Sequence, residues 1–281
     1  MHYEKVKSLK PSNFKRRFGV QPTTFDLMAK EVKKQSAQRK KKKNKKNAGR
    51  KPTLSCEDEF LMTLTYWREY RTQFHLGVDY GISETVVCRT IKKVENILSK
   101  CKQFELPGIK KGKGTKITYE VILVDATESP IERPKKKQKT YYSGKKGRHT
   151  IKTQLVVDKK SKKILVPNFS KGKVHDFELF KRSKLNISKS TRMDVDMGYK
   201  GIHKIHSNCR MPKKKSKYYP LTKTDIAKNK RISRSRILVE HVIRKLKIFR
   251  IVSERYRNRR KRFDLRMNLI AGIYNFENVQ I

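Results

Sequence analysis

The chain has 281 residues, of which 73 are Lys or Arg and 25 are Asp or Glu, so its formal net charge is +48. Such a chain repels itself unless a polyanion offsets the charge, and duplex DNA carries about one negative charge per 1.7 Å of its axis. Nucleic acid is therefore the expected partner. A ribosomal or packaging protein would share this charge but is usually shorter, and 35% hydrophobic residues allow real cores.

The sequence points to a reduced cytosol and excludes a membrane protein. Four cysteines are scattered without a Cys-x-x-Cys pair, and the first residues do not read as a signal peptide. No apolar run approaches the roughly 20 residues that span a bilayer. His203, His206 and Cys209 have a zinc-like spacing but lack a fourth ligand, so a basic loop is the favoured interpretation.

The first 50 residues predict one helix followed by a basic linker. Apolar residues at helical spacing indicate a helix from about Pro22 to Lys34. The run from Arg39 to Pro52 combines like charges with Gly and Pro, which predicts a mobile linker that follows phosphates or enters a minor groove. Arg50 and Lys51 are its candidate DNA contacts, and a solvated loop is the alternative.

Residues 53 to 98 predict three helices in a DNA-binding arrangement. Ser55 and Asp58 resemble a capping box ahead of the first helix, a short second helix ends at Gly81, and Ser83 caps a third helix that runs to about Leu98. A short helix, a Gly-containing turn and a longer helix form the helix-turn-helix pattern, whose last helix lies in the major groove. A plain three-helix bundle is the alternative. The candidate contacts are Glu84, Thr85, Arg89 and Lys92 or Lys93.

The stretch from Glu120 to Thr127 predicts a buried strand that ends in an acid. Its apolar run, Val121 to Val124, is short and β-branched, which suits a strand covered on both faces. Because an ionised Asp is rarely buried without a partner, we expect Asp125 at the exit of the strand, where it can meet a cation. A turn Asp that bonds its own backbone at Ala126 is the alternative.

Two later patterns extend this sheet and add a pair of acids. Thr150 to Asp158 and Lys163 to Val166 predict a hairpin on the first strand, so three consecutive strands form an antiparallel platform. Further along, Asp194 and Asp196 alternate with apolar residues, which places both acids on one side of a strand. Their repulsion is costly unless a metal or a buried cation offsets it. Spacing alone leaves the ligand open, and Asp196 is preferred because it lies closer to the break at Gly198.

A strong helix is predicted from Ile232 to Phe249. Arg236, Glu240 and Lys247 gather on nearly the opposite side from its apolar stripe. One acid between two cations suits a metal-binding carboxylate flanked by groups that hold phosphate oxygens, whereas ordinary i, i+4 pairing of Arg236 with Glu240 is the plainer account.

The Gly-rich basic segment from Pro107 to Gly114 predicts a domain boundary. We expect an N-terminal helical region at residues 1–105, with a helix-turn-helix core at about 53–98. We expect a second domain at residues 115–281, which ends in a closing helix from Phe263 to Phe276.

In order along the chain, Asp125, Asp196 and Glu240 resemble the three acids of the DDE transposases, in particular the bacterial insertion-sequence transposases of family five and the related Harbinger group. Val124-Asp125-Ala126-Thr127 resembles the first motif, the segment from Asp196 to Gly201 the second, and Val239-Glu240-His241 the third. The resemblance covers nearly the whole chain. Arg236, Glu240 and Lys247 keep the family's spacing around the third acid, with Ser233 in place of a Tyr.

This resemblance implies a fold, an activity and partners. The implied fold class is α/β, with a ribonuclease H-like catalytic domain, a mixed sheet flanked by helices, preceded by an all-α helix-turn-helix domain. The implied enzyme binds terminal inverted repeats of double-stranded DNA and catalyses strand cleavage and transfer into target DNA. It would use two Mg²⁺ or Mn²⁺ ions held by Asp125, Asp196 and Glu240. A homodimer or larger synaptic assembly and a bacterial cytoplasmic, nucleoid-associated location are expected. The implied DNA contacts are Arg50, Lys51, Glu84, Thr85, Arg89, Lys92, Lys93, Arg236 and Lys247.

Two other hypotheses remain. The acids could be structural in a sequence-specific DNA-binding protein, either a repressor or a domesticated remnant. Alternatively, a nuclease of the same fold would hydrolyse DNA without joining it.

Overall fold

The structure is a computed structural model that describes residues 2–42, 52–107, 117–216, 218 and 220–279, without the side chains of residues 39–42. The chain divides into two compact units. The first comprises Met1–Glu105, Ile248–Glu254 and Leu265–Ile281, and the second comprises Leu106–Lys247 and Arg255–Asp264. Most of the closing helix, which the sequence placed in the second domain, therefore belongs to the same unit as the N-terminal helices.

The helices of the described residues are numbered in chain order. They are α1 (Pro11–Phe18), α2 (Pro22–Lys42), α3 (Cys56–Glu69), α4 (Gln73–Tyr80), α5 (Glu84–Leu98), α6 (Gln138–Tyr141), α7 (Asp176–Ser183), α8 (Lys223–Lys247), α9 (Arg250–Ser253) and α10 (Phe263–Val279). Short 3-10 helices cover Tyr3–Lys5, Lys102–Phe104, Met197–Tyr199 and Ile202–Lys204.

The start of the first unit is more helical than its sequence predicts. Helix α1 was not predicted, yet Phe14 and Phe18 lie one turn apart and are both buried, and Gly19 ends the helix at φ 84°. Helix α2 continues to Lys42, so the first basic residues of the expected linker are helical, in keeping with the good helix propensity of Lys. The remainder of that linker, including Arg50 and Lys51, lies outside the described residues.

Helices α3 to α5 confirm the three predicted helices, and their first turns are capped by hydroxyl groups. The side chains of Ser55, Thr72 and Ser83 accept hydrogen bonds from the backbone N–H groups three residues later. Such caps satisfy N–H groups that have no partner within the helix. Gly81 adopts φ 64° between α4 and α5, a left-handed conformation that costs glycine little. Capping residues and a glycine thus set the turns of this motif.

A buried ion pair joins three helices of the first unit. Glu95 of α5 is fully buried, and its carboxylate accepts hydrogen bonds from Trp67 Nε1 of α3 at 3.1 Å and from Arg266 Nε of α10 at 2.6 Å. A buried carboxylate requires such partners. The C-terminal helix is therefore part of the core of the first unit.

The second unit contains a mixed sheet. In the described residues its strands are β1 (Val121–Pro130), β2 (Tyr142–Ser143), β3 (Arg148–Asp158), β4 (Ile164–Lys171), β5 (Arg192–Val195) and β6 (Cys209–Arg210), in the order β2-β3-β1-β5-β6, with β4 also paired to β3. The pairs β4-β3 and β3-β1 are antiparallel, which confirms the predicted platform, whereas β1-β5 and β5-β6 are parallel.

Helices cover this sheet and complete its core. Helix α8 packs on β1 and β5, and α7 packs on β3 and β4. Val124, Val156 and Val195 are among the residues of the central apolar cluster. Helix α8 begins at Lys223, earlier than predicted, because Thr222 Oγ1 accepts a hydrogen bond from Asp225 N and Asp225 stands in the first turn.

Candidate active site

Asp125 lies inside β1 and not at its end, so the predicted strand exit is wrong. Strand β1 continues to Pro130 because it is paired with β3 along this whole stretch. Its parallel pairing with β5 stops opposite Val124. Asp125 is therefore the first residue of β1 beyond the end of its parallel neighbour, and its side chain is 16% exposed. Its Oδ1 also accepts a hydrogen bond from Ala126 N at 2.9 Å, the local backbone bond expected of the alternative.

The second acid follows the end of a strand, and the third lies within a helix. Asp196 directly follows β5 and caps a short 3-10 helix, accepting a hydrogen bond from Met197 N at 2.7 Å. Glu240 lies in the middle of α8, one turn after Arg236, and its side chain is 53% exposed.

These three carboxylates meet at the guanidinium group of Arg236. Arg236 Nη1 lies 3.3 Å from Asp196 Oδ1, while Nη2 lies 3.8 Å from Asp125 Oδ1 and 3.9 Å from Glu240 Oε1. Acids separated by 71 and 44 residues in the sequence thus share one cation. The i, i+4 pair of Arg236 with Glu240 exists, but it is one of three ion pairs that Arg236 makes.

The pKa of Asp125 is raised to about 6 by its burial and by the two neighbouring acids. Burial is the largest cause, Arg236 and the Ala126 N–H lower the pKa, and the charges of Asp196 and Glu240 raise it. One guanidinium does not balance three carboxylates, so the ionised form of Asp125 is disfavoured.

The donor chemistry of the cluster fits a divalent metal. Carboxylate oxygens are hard ligands that suit Mg²⁺ or Mn²⁺, and a second cation would relieve the excess negative charge. Among the described residues, however, no three His, Cys, Asp or Glu side chains lie close enough to hold one ion as they stand. Arg236 lies among the carboxylates, and its buried Nε finds no acceptor within the described part of the chain. A ligand oxygen would satisfy that N–H group.

Asp194, two residues before Asp196, has a different environment. It is fully buried and accepts hydrogen bonds from Arg210 Nε at 2.8 Å, Arg210 Nη2 at 2.7 Å and Ser235 Oγ at 2.7 Å. Burial alone would raise its pKa, but these bonds and the charges of Arg210 and Arg192 hold the pKa of Asp194 below its ordinary value. Asp194 therefore joins β5 to β6 and to α8, next to Arg236.

A polar network beside the cluster was not singled out from the sequence. The buried Tyr199 hydroxyl accepts a hydrogen bond from Gln154 Nε2 at 2.9 Å. Burial, and then the charges of Asp176, Asp125 and Asp196, raise the pKa of Tyr199 well above its ordinary value. The nearly buried Lys152 donates to Asp176 Oδ1 at 2.7 Å. The sequence pattern that could have indicated this network is a lysine and a glutamine, Lys152 and Gln154, within a long strand.

Lys247, the last residue of α8, lies near other charges. Burial, followed by the charge of Lys146, lowers the pKa of Lys247, and Glu128 opposes this effect. The charges that act on Lys247 are thus those of Lys146 and Glu128, whereas Arg236 pairs with the three acids.

In the first unit, α5 presents four of the predicted DNA contacts to solvent. Glu84, Thr85, Arg89 and Lys92 are exposed, whereas Lys93 is half-buried and its Nζ donates to Glu59 Oε1 at 2.8 Å. Between the two lysines that the sequence left open, Lys92 is the one available to a ligand.

The zinc-like spacing does not form a metal site in the described residues. His206 Nε2 is bonded to the backbone oxygen of Thr191 at 2.7 Å, and Cys209 Sγ contacts His203 Nδ1 at 3.0 Å. Among the described residues, no helix is long and apolar enough to span a bilayer.

Comparison with known proteins gives consistent matches in both units. Residues 124–275 match the model of the DDE superfamily endonucleases, and residues 52–102 match the helix-turn-helix of DDE superfamily endonucleases. The chain is 49% identical over 277 residues to a probable transposase for insertion sequence element IS702 from Microchaete diplosiphon, covering 99% of this chain and 98% of that protein. No solved structure was found to match. The chain belongs to the DDE superfamily endonucleases, among the transposases of insertion sequences.

Proposed function

We propose that the chain binds the terminal inverted repeats of its own insertion sequence and catalyses metal-dependent strand cleavage and strand transfer. The convergence of Asp125, Asp196 and Glu240 on Arg236 is the observation that carries the proposal. Structural acids would be expected in balanced ion pairs, whereas this cluster has three acids and one cation.

The strand order supports a ribonuclease H-like arrangement of the second unit. Three antiparallel strands, β4, β3 and β1, continue into the parallel strands β5 and β6. The first acid lies on β1 and the second directly follows β5, so the parallel pair brings them to one edge. Helix α8, packed on both strands, then supplies the third acid.

In this proposal Asp125, Asp196 and Glu240 hold the metal ions. When bound, two divalent ions supply charge that stabilises both the attacking and the leaving oxygen of a phosphodiester. Arg236 orients the carboxylates and offers its unpartnered Nε to a phosphate oxygen. Asp194 acts through Arg236, because its bond to Ser235 fixes the turn of α8 that carries the guanidinium.

The catalytic assignment is tested with Asp125→Asn, which keeps the shape of the side chain and removes its charge. With Mg²⁺ and a duplex from the DNA flanking the gene, cleavage should fall at least about a hundredfold, since metal-assisted charge stabilisation supplies several kcal/mol. Binding of the same duplex should persist. Glu132→Gln, which removes an exposed carboxylate just beyond β1, is the matched control and should cut normally. Normal cleavage by Asp125→Asn would contradict the assignment.

Metal binding is tested separately by thermal unfolding. Mg²⁺ should raise the melting temperature of the parent at pH 8, and less so at pH 5, where Asp125 with its pKa of about 6 is mostly protonated. An equal shift in the triple variant of Asp125, Asp196 and Glu240 to Asn, Asn and Gln would contradict binding at this site.

Strand transfer is tested with pre-cut ends and a target plasmid. Joined product is expected from the parent protein and not from Asp125→Asn. A nuclease that only hydrolyses would cleave the uncut duplex and yield no joined product.

A further inference from the structure

The first unit contains a cleft lined almost entirely by arginine. Its volume is about 350 Å³, and its lining residues come from the end of α1, the end of α3 with the following turn, and the start of α9. They are Arg16, Arg17, Arg68, Glu69, Arg71 and Arg250. We call this the arginine cleft.

Arg68 gives the arginine cleft a defined shape. Its guanidinium donates to the backbone oxygen of Arg16 from Nε at 3.3 Å and from Nη2 at 3.1 Å, and it also donates to the backbone oxygen of Ile248. One side chain thereby holds α1, α3 and the segment before α9 together. The walls of the cleft are therefore held in place by hydrogen bonds to backbone atoms.

The charge of the arginine cleft is strongly unbalanced. Five guanidinium groups face one carboxylate, a formal charge of 5 − 1 = +4. Burial, followed by the charge of Arg250, lowers the pKa of Arg68. Arg71 is paired with Asp79, and Arg250 Nε lies 3.5 Å from Glu254 Oε1, so two of the five charges are partly offset. Arg16 and Arg250 are both exposed. Like charges held this close are costly unless an anion fills the space between them.

Phosphate is the anion that this lining fits. Guanidinium groups offer planar pairs of N–H donors that match phosphate oxygens, and they stay charged at every physiological pH. Because Arg16, Arg17 and Arg250 lie at the surface, a polymer can pass along the opening.

We propose that the arginine cleft is a second DNA contact, which holds backbone phosphates irrespective of base sequence. Arg71 stands in the turn directly before α4, the first helix of the helix-turn-helix, and residues 52–102 match that motif. Backbone contacts fix the register of a DNA-binding unit on the duplex, and base contacts supply its specificity. The inference rests on the proposed DNA binding and assigns the contact with the DNA backbone to residues outside α5.

The test compares two double variants of the full chain. Arg16→Gln with Arg250→Gln removes two charges from the opening and spares Arg68, which holds the walls. Lys30→Gln with Lys34→Gln removes two exposed charges from α2 and is the matched control. Dissociation constants are measured against salt for a duplex flanking the gene and for an unrelated duplex of equal length, and inorganic phosphate is titrated alone. Equal melting temperatures establish that both variants fold.

The cleft variant should bind both duplexes on the order of tenfold more weakly than the control, and its salt slope should fall by about 1 to 2. Affinities equal to the control would overturn the proposal. Saturable binding of inorganic phosphate by the parent, with unchanged duplex affinity in the cleft variant, would assign the cleft to a free anion and also overturn it. Arg89→Gln distinguishes base-specific recognition by α5 from the backbone contact of the arginine cleft, because it should weaken binding of the flanking duplex only. If Arg89→Gln has no effect but the cleft variant does, repeat recognition by α5 fails and the backbone contact stands.

Discussion

Two acid clusters lie side by side in the second unit, and they differ in charge balance. Asp194 is one carboxylate with Arg210 and Ser235 as donors, and it is fully buried. Asp125, Asp196 and Glu240 are three carboxylates with Arg236 as their shared cation. The Asp194 cluster is satisfied within the fold, whereas the Arg236 cluster is not.

This difference distinguishes Asp194 of β5, whose partners lie within the fold, from Asp125 of β1, which we propose to be functional. A buried carboxylate with a lowered pKa stabilises the folded state while it is ionised, and removal of a partner is costly. A carboxylate with a raised pKa destabilises the folded state when it is ionised. Retention of such a group is the expected cost of a site that binds a cation.

The largest effect should come from Asp194→Ala. This change leaves Arg210 without its buried carboxylate, so the free energy of unfolding should fall by about 3–5 kcal/mol, measured by urea denaturation at pH 7. Asp196→Ala, two residues later and partly exposed, is the control and should change it by less than about 1 kcal/mol. Equal losses in the two variants would remove the distinction between the clusters.

The next largest effect should come from Asp125→Asn and should have the opposite sign. Because the pKa of Asp125 rises from 3.8 in the unfolded chain to about 6 in the folded protein, its ionisation lowers stability as pH rises through this range. The variant should therefore be more stable than the parent at pH 8, by up to about 3 kcal/mol. The gain should be about 1 kcal/mol smaller at pH 5. A variant that is less stable than the parent at both pH values would show that Asp125 is structural.

A smaller effect should come from Ser235→Ala. Asp194 keeps both bonds from Arg210 but loses the hydroxyl, which should cost about 1.5 kcal/mol for a hydrogen bond to a charged group. Cleavage should also fall, because α8 is then less firmly fixed at Arg236. Ser233→Ala, on the exposed side of the same helix, is the matched control and should leave both measurements unchanged.

The smallest effect should come from Lys93→Gln in the first unit. Its ion pair with Glu59 is balanced and partly exposed, with Lys93 at 37% and Glu59 at 14%, so its loss should cost less than about 1 kcal/mol. Lys92→Gln should weaken duplex binding more than Lys93→Gln does. The reverse order would show that Lys93 leaves Glu59 to contact DNA.

The amino-acid sequence alone was enough to predict most local elements and the order of the acids. Local features depend on neighbouring residues, so sequence pattern was sufficient to predict them. Examples are the hydroxyl caps at Ser55 and Ser83, the glycine at position 81 and the apolar run from Val121 to Val124. Helix α1 was not predicted because its two buried phenylalanines are too few to indicate helical periodicity. The end of β1 was misplaced because its length depends on pairing with β3, which is distant in sequence.

The partners of the polar residues depend on the tertiary structure. Alternation along a strand placed Asp194 and Asp196 on one side, but it could not show that Arg210 and Ser235 satisfy the first while the second meets Arg236. Likewise, it took the packing of α3 against α5 to pair Lys93 with Glu59 and leave Lys92 exposed. The physical reason is that the energy of a charge depends on its burial and on partners from distant parts of the chain, neither of which local spacing records.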